Sequence, residues 1–197
     1  MSDALMILMA ALVGYGLGSI PFGLLFTRLG GKGDIREIGS GNIGATNVLR
    51  SGSKLLALAT LLADGAKGFI AVALIWQSGN DQAAFLAGLA AFVGHLFPIW
   101  LNFKGGKGIA VFIGALLMMS PLAGIAFLLV WLVMALALRI SSLSAIVALL
   151  VTPLLLALLG EYDTLIYVLI MVALSLYAHR ENIARLRAGT EPKIGQK

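Results

Sequence analysis

Two short segments carry residues whose types and spacing suit anion chemistry. Residues 39–50 read Gly-Ser-Gly-Asn-Ile-Gly-Ala-Thr-Asn-Val-Leu-Arg, and residues 103–108 read Phe-Lys-Gly-Gly-Lys-Gly. Glycine lets backbone N–H groups close around a bound anion. In the first segment Ser40, Asn42, Thr46 and Asn47 add hydrogen-bonding groups, and Arg50 can grip a phosphate with two parallel bonds. In the second, Lys104 and Lys107 supply charge among Gly105, Gly106 and Gly108. Each has a plainer alternative. The first also reads as a turn before a capped helix. The lysines also read as anchors beside a membrane span, although an anchor needs no glycines. Neither segment is GxxxxGK[ST], so neither is a nucleotide P-loop.

The remaining candidates are sparse. His95 and His179 are the only histidines. His95 sits in an apolar run, where a buried, hydrogen-bonded role is expected. His179 and Asn182 stand at i, i+3 and share a face if a helix continues through them, and His179 could act as a general base near neutral pH. A surface-lying tail helix is the competing reading. Ser142, between Ser141 and Ser144, offers a hydroxyl or a helix cap. Asp64 and Lys67, also at i, i+3, can form a structural pair that supports a site. No Cys is present and no histidines stand at metal spacing, which leaves no metal site in the sequence. Neither histidine begins HxxxxD, and no GxSG nucleophile motif occurs.

The elements that position these residues are membrane helices. The 197 residues are 60% hydrophobic and 12% charged, with mean hydropathy +1.00, more apolar surface than a soluble domain of this size can bury. Apolar segments span residues 4–26, 55–76, 83–100, 121–138 and 143–159, with a shorter one at 164–178. Residues 109–118 are too short to cross alone. Pro98 should break the third span near its end. The charges decide among topologies. Counting this segment as a helix puts thirteen of the fourteen Lys and Arg on one face, among them Arg28, Lys32, Arg36, Lys54, Arg139 and the tail cations through Lys197. Asp3, Asp81, Glu161 and Asp163 fall on the other. Six helices would mix the two sets. The expectation is an all-α integral membrane protein, one domain over residues 1–197, with seven transmembrane helices, N-terminus outside and C-terminus cytoplasmic. The net charge of +5 follows from this topology rather than from nucleic-acid binding.

Taken together, GSGNIGATNVLR, GHLFPIWLNFKGGKGIA and HRENIARLRAGTE resemble the three cytoplasmic signatures of the bacterial acyl-phosphate-dependent glycerol-3-phosphate acyltransferases, the PlsY family. The resemblance covers nearly the whole chain, in order. It implies a seven-helix enzyme of the bacterial inner membrane that moves a fatty acyl group from acyl phosphate to the 1-hydroxyl of sn-glycerol 3-phosphate. Lysophosphatidic acid and phosphate would be the products, with no cofactor. It further implies membrane lipid as a neighbour and a functional link to an enzyme that forms acyl phosphate. Carried over by position, Ser40 and Arg50 belong to the first signature, Lys104 and its glycines to the second, and His179, Asn182 and Glu191 to the third. Ser142 matches a serine-bearing inner turn. The expected roles are Lys104, Arg50 and His179 on phosphates, Ser40, Asn42, Asn47 and Ser142 orienting them, and Asp64, Lys67, His95 and Glu191 as support. The proton acceptor is left between His179 and a substrate phosphate oxygen. A transporter of a phosphorylated solute is the alternative class, but its polar groups should gather at mid-membrane.

Overall fold

A computed structural model of the chain describes residues 2–195, which leaves Lys197 outside the described residues. Backbone groups have no water to bond in lipid, so apolar segments must close their own hydrogen bonds as helices. Ten α-helices are seen among the described residues: α1 (Asp3–Gly18), α2 (Phe22–Leu29), α3 (Ala45–Arg50), α4 (Lys54–Trp76), α5 (Asp81–Leu96), α6 (Ile109–Met119), α7 (Pro121–Leu138), α8 (Ser141–Leu159), α9 (Tyr162–Ala178) and α10 (Arg180–Arg187). Polar caps start several of them. Ser53 Oγ accepts from Leu56 N at 3.2 Å, and Asn80 Oδ1 from Ala83 N at 2.9 Å.

The first expected span is broken. Pro21 lacks an N–H and disfavours helix at the residue before it, so α1 and α2 separate. The carbonyls at the break are taken up by side chains from elsewhere. Ser19 O accepts from Trp100 Nε1 at 2.7 Å, and Ile20 O from Lys67 Nζ at 2.8 Å. Pro98 breaks the third span as expected: α5 ends at Leu96 and a single 3₁₀ turn, Ile99–Leu101, follows. The tail does not continue the last span straight. The chain bends by 58° between α9 and α10, at His179.

Small residues set the helix packing. Gly14 and Gly18 on α1 lie against the backbone at Ala87 and Ala91 of α5, and Gly114 of α6 lies against the backbone at Gly65 of α4. A side chain at any of these glycines would overlap a carbonyl oxygen of the facing helix. Close approach of this kind gives helices the van der Waals contact that lipid does not otherwise favour. Phe92, Phe112 and Phe127 stack through the buried centre, with neighbouring ring centroids 6.3 and 5.2 Å apart.

α6 is the unusual element. Its 11 residues rise roughly 16 Å, about half a bilayer core. The segment before it turns back along α5: Gly105 N donates to Leu96 O and Gly106 N to His95 O, both at 3.0 Å. Gly108, at φ +82°, packs on Phe92, and Ala115 and Met119 lie against Gly88 of α5. Residues 105–119 therefore run antiparallel beside α5. Five segments, residues 3–29, 54–76, 81–101, 121–138 and 141–159, are long and apolar enough to cross a membrane, and the bent α9–α10 pair makes a sixth. α6 is the helix by which this falls short of seven. Asp3, Asp81 and Asp163 gather around one shallow depression with the turn at 78–80, which puts the starts of α1, α5 and α9 at one end of the bundle.

Gly114→Ala is expected to lower the melting temperature in detergent, with a cost of about 1–3 kcal/mol. Gly16→Ala, whose new methyl meets no atom within 4 Å, should leave it unchanged or raise it slightly. Thermal melts of the two variants check the α4–α6 contact.

Candidate active site

The first loop is built on its own small core. Ile35, Ile43 and Val48 are buried against Leu24 and Ala57. Asp34 ties the loop at its start by pairing with Arg28 at 2.9 Å and Arg36 at 2.5 Å, and the Arg36 guanidinium holds its carboxyl well below the usual range. Asn47 is the central brace. Its Nδ2 donates to Ile35 O and Ile38 O at 2.9 Å and to Asn42 O at 2.8 Å, while its Oδ1 accepts from Ser40 N at 3.0 Å. Gly39, at φ +56°, turns the chain tightly beside this amide. The result is a rigid loop whose Ser40, Asn42, Thr46 and Arg50 border a cavity of about 230 Å³. Asn47 lines the same cavity, with its amide already bonded within the loop.

The second loop contributes differently from its expected role. Lys104 is exposed and lies outside the cavity, and Lys107 lines it. Gly105 and Gly106 do not offer their N–H groups to an anion, because α5 carbonyls already take them. These glycines serve close approach. A side chain at Gly105 would overlap the carbonyl of His95, and one at Gly106 the His95 ring. Gly108 does border the cavity.

The tail completes the ring. Lys107 Nζ donates to Asn182 Oδ1, and Asn182 Nδ2 donates to Glu191 Oε1 at 2.6 Å. Ser142 Oγ donates to the same oxygen at 2.6 Å, and Arg185 Nε to Glu191 Oε2 at 2.7 Å. Burial opposes ionisation of Glu191, but the bonds from Ser142, Asn182 and Arg185 outweigh it and draw its carboxyl below the ordinary range. Burial, then the Arg185 charge, lowers the Lys107 ammonium, with Glu191 and Glu181 opposing. Ser175 Oγ fixes the Lys107 carbonyl at 2.9 Å.

His179 is buried and borders the same cavity. Its Nδ1 lies 2.8 Å from Ser175 O, so Nδ1 carries the proton and Nε2 keeps its lone pair. Burial, the largest cause, lowers its pKa to about 4, with the Lys107 charge adding to it and the Ser175 bond opposing. His179 is neutral at pH 7.

Asp64, Lys67 and His95 join below this ring. Lys67 Nζ lies 2.8 Å from Asp64 Oδ1 and 2.9 Å from His95 Nδ1. Asp64 and His95 themselves border the cavity, so they are more than remote support. The other wall is apolar: Leu61 of α4, Ile113 of α6, and Leu128 and Trp131 of α7. Those four escaped the sequence reading, since an apolar residue inside a span gives no sign of whether it faces lipid, protein or a cavity. Among the described residues no three His, Cys, Asp or Glu side chains come together as metal ligands.

With this geometry in place, the comparisons with known proteins are decisive. A family model described as glycerol-3-phosphate acyltransferase matches residues 8–189. The chain belongs to this family. A glycerol-3-phosphate acyltransferase of Agrobacterium fabrum is 57% identical over 189 residues, covering 96% of this chain and 92% of that protein. One of Methylorubrum populi is 56% identical over 191 residues, covering 96% and 94%. Among solved structures, crystal structures of PlsY, an integral membrane glycerol 3-phosphate acyltransferase, align throughout. The glycerol 3-phosphate form has a TM-score of 0.91 at 38% identity and covers 96% of each chain. The lysophosphatidic acid form has a TM-score of 0.88 at 37% identity and covers 96% of this chain and 95% of that one. The all-helical architecture is that of the PlsY membrane fold.

The histidine environment has a measurable consequence. His179 holds a pKa of about 4 when folded, against an ordinary 6.5. Between these values the unfolded chain binds more protons, so stability falls as pH drops through 6.5. From pH 7.5 to 5 the protein should lose about 2 kcal/mol more than its His179→Gln variant, as read from unfolding in detergent at the two pH values.

Proposed function

We propose that this protein transfers an acyl group from acyl phosphate to the 1-hydroxyl of sn-glycerol 3-phosphate and releases lysophosphatidic acid and phosphate. The observation that carries this reading is the single cavity that joins a cationic, hydroxyl-rich ring to an apolar wall. Arg50 and Lys107 suit two phosphates, and Leu61, Ile113, Leu128 and Trp131 suit an acyl chain entering from lipid. Family members at more than half identity and a PlsY structure in a glycerol 3-phosphate form support it.

The chemistry needs no protein nucleophile, because acyl phosphate is already activated. The glycerol hydroxyl oxygen attacks the acyl carbonyl carbon, an ester C–O bond forms, the bond to the phosphate oxygen breaks, and phosphate departs. Positioning and charge stabilisation account for the acceleration. The hydroxyl proton has two acceptors in reach. His179 Nε2 has a lone pair, but a base of pKa about 4 gives little driving force at neutral pH. A phosphate oxygen, with a second pKa near 6, is the stronger base. The proton therefore passes to the substrate phosphate, and His179 orients the hydroxyl.

The same reading places the protein in the bacterial inner membrane with its cavity on the cytoplasmic face and an acyl-phosphate-forming enzyme upstream. Seven crossings fit the course of residues 105–119 along α5 and the gathering of Asp3, Asp81 and Asp163 at one end. The N-terminus is then outside and the basic tail inside.

Purified protein supplied with acyl phosphate and labelled glycerol 3-phosphate should form lysophosphatidic acid and phosphate in equal amounts; neither product would sink the proposal. In that assay Lys107→Met should cost at least about a hundredfold in kcat/KM, while Lys104→Met should stay within about threefold. His179→Gln should lower kcat by about tenfold and leave the pH profile in place. A lost acid limb would instead make His179 the base.

A further inference from the structure

Tryptophan in a membrane protein normally stands at the ends of spans, where its N–H finds water or headgroups while its ring stays in lipid. Two of the three tryptophans follow this rule. Trp76 is the last residue of α4, and Trp100 lies in the turn after α5, where its Nε1 donates to Ser19 O at 2.7 Å. Trp131 does not follow it. It sits inside α7, roughly 15 Å from the start of that helix and roughly 10 Å from its end, at a depth where lipid tails are the only solvent.

The indole N–H of Trp131 is unused. Among the described residues it meets no acceptor, yet its nitrogen is not sealed off in the way that the unpartnered Ser19 Oγ and Asp64 Oδ1 are. The residue is half-buried, packs against the central core and borders the cavity. A bare N–H turned to lipid tails is costly, so this donor is placed for something in the cavity.

The α6–α7 hairpin sets its height there. Gly124 of α7 packs on Leu117 of α6, on either side of the turn at Ser120. Counting away from that contact puts Ile113 level with Leu128 and Ala110 level with Trp131, and all four line the cavity. Ala110 stands just three places past Lys107. Trp131 therefore lies where the cationic ring gives way to the apolar wall.

An acyl phosphate laid across that boundary presents one acceptor to it. Its phosphate belongs with Arg50 and Lys107, and its hydrocarbon tail accepts nothing. Between them is the acyl carbonyl oxygen, which only accepts, as an indole N–H only donates. A glycerol hydroxyl at this point would bring a proton of its own to Leu61, Ile113 and Leu128, where nothing receives it.

We propose that Trp131 is a catalytic residue whose indole N–H holds the carbonyl oxygen of the acyl donor, an assignment that rests on the reaction proposed above. As the glycerol hydroxyl oxygen bonds to the carbonyl carbon, the π electrons of the C=O bond move onto the carbonyl oxygen. The hydrogen bond from Nε1 strengthens with that growing charge, and no proton is transferred along it. The electrons then return, the bond from carbon to the phosphate oxygen breaks, and the hydroxyl proton goes to the substrate phosphate. Such a donor favours the transition state over the bound substrate, so its loss falls on kcat.

Trp131→Phe keeps an aromatic ring in place and removes the N–H. It should lower kcat by about tenfold to a hundredfold and leave the KM for glycerol 3-phosphate within about twofold. Two unreactive donors separate a hydrogen bond from packing. A β-ketophosphonate keeps the carbonyl and has CH2 in place of the scissile oxygen, and the alkylphosphonate of equal chain length lacks the carbonyl. The unmodified protein should bind the ketophosphonate at least about tenfold more tightly, and Trp131→Phe within about threefold, with the alkylphosphonate bound alike by both. An unmodified protein that does not distinguish them would overturn the proposal. So would equal loss of both ligands in the variant, total loss included, because a merely structural ring would move the two together. Ultraviolet resonance Raman spectra of the unmodified protein need no variant. The indole band that reports N–H hydrogen bonding should shift with the ketophosphonate and stay with the alkylphosphonate, while Trp76 and Trp100, which lie outside the cavity, hold constant. A band that does not move would also overturn the assignment. Turnover of acyl phosphate and glycerol 3-phosphate by the unmodified protein tests the underlying reaction separately, and an active enzyme without these differences would sink the role of Trp131 alone.

Discussion

Two backbone hydrogen bonds, Gly105 N to Leu96 O and Gly106 N to His95 O, decide more of this molecule than any other contact. They fold the second loop back along α5 instead of letting it stand free at the surface. Once the loop is there, Lys107 is carried into the cavity and Lys104 is left outside it. α6 then begins part-way into the bundle, which is why 11 residues suffice for it. The glycines are required because the loop passes within backbone distance of α5 and against the Nε2 edge of His95. Glycine here permits close packing, and its conformational freedom matters chiefly at Gly108.

The cavity that results is lined by groups that fix one another. Glu191 is the node: Ser142, Asn182 and Arg185 all donate to it, and Asn182 in turn accepts from Lys107. A lysine side chain has several rotatable bonds, and a phosphate site gains from having them fixed before substrate arrives. The polar chain running from α8 through the tail to the second loop does this, and it keeps the buried charges paired. Lys67 ties three separate segments together behind the cavity wall, bonding Ile20 O at the α1–α2 break and His95 Nδ1 on α5 and pairing with Asp64 on α4. A buried pair of this kind is expensive to leave half-made, so it pins the relative positions of those segments.

Much of this was legible in the sequence, for physical reasons that differ by residue. Apolar length placed α4, α7 and α8 to within two residues, because a lipid-spanning helix must be continuous and apolar, while α5 ends four residues before the apolar run does. Pro98 announced the end of α5, since proline cannot continue a helix interior. Pro21 acts in the same way at the α1–α2 break, yet a long apolar run hid it. Asp64 and Lys67 announced each other through spacing alone, because i, i+3 places two side chains on one helix face. The role of Asn47 was not legible. An amide in a glycine-rich loop suits a ligand and a loop brace equally, and only the positions of the Ile35, Ile38 and Asn42 carbonyls decide between them. Nor was the choice between Lys104 and Lys107, since the two differ by three positions in one flexible-looking segment.

What composition and local spacing settle is the class and the family: an apolar, cysteine-free chain that belongs in a membrane, with three glycine- and amide-bearing motifs characteristic of one acyltransferase family. Those are properties of composition and local spacing, which need no third dimension. The tertiary structure alone decided which polar groups reach the cavity and which are spent on the protein. That distinction rests on where each donor finds its acceptor, and the partners of Lys67 and Asn182 lie 47 and 75 residues away at their farthest. Hydrogen bonds between groups so distant in sequence leave no periodic or compositional trace, and they exist only once the helices have packed.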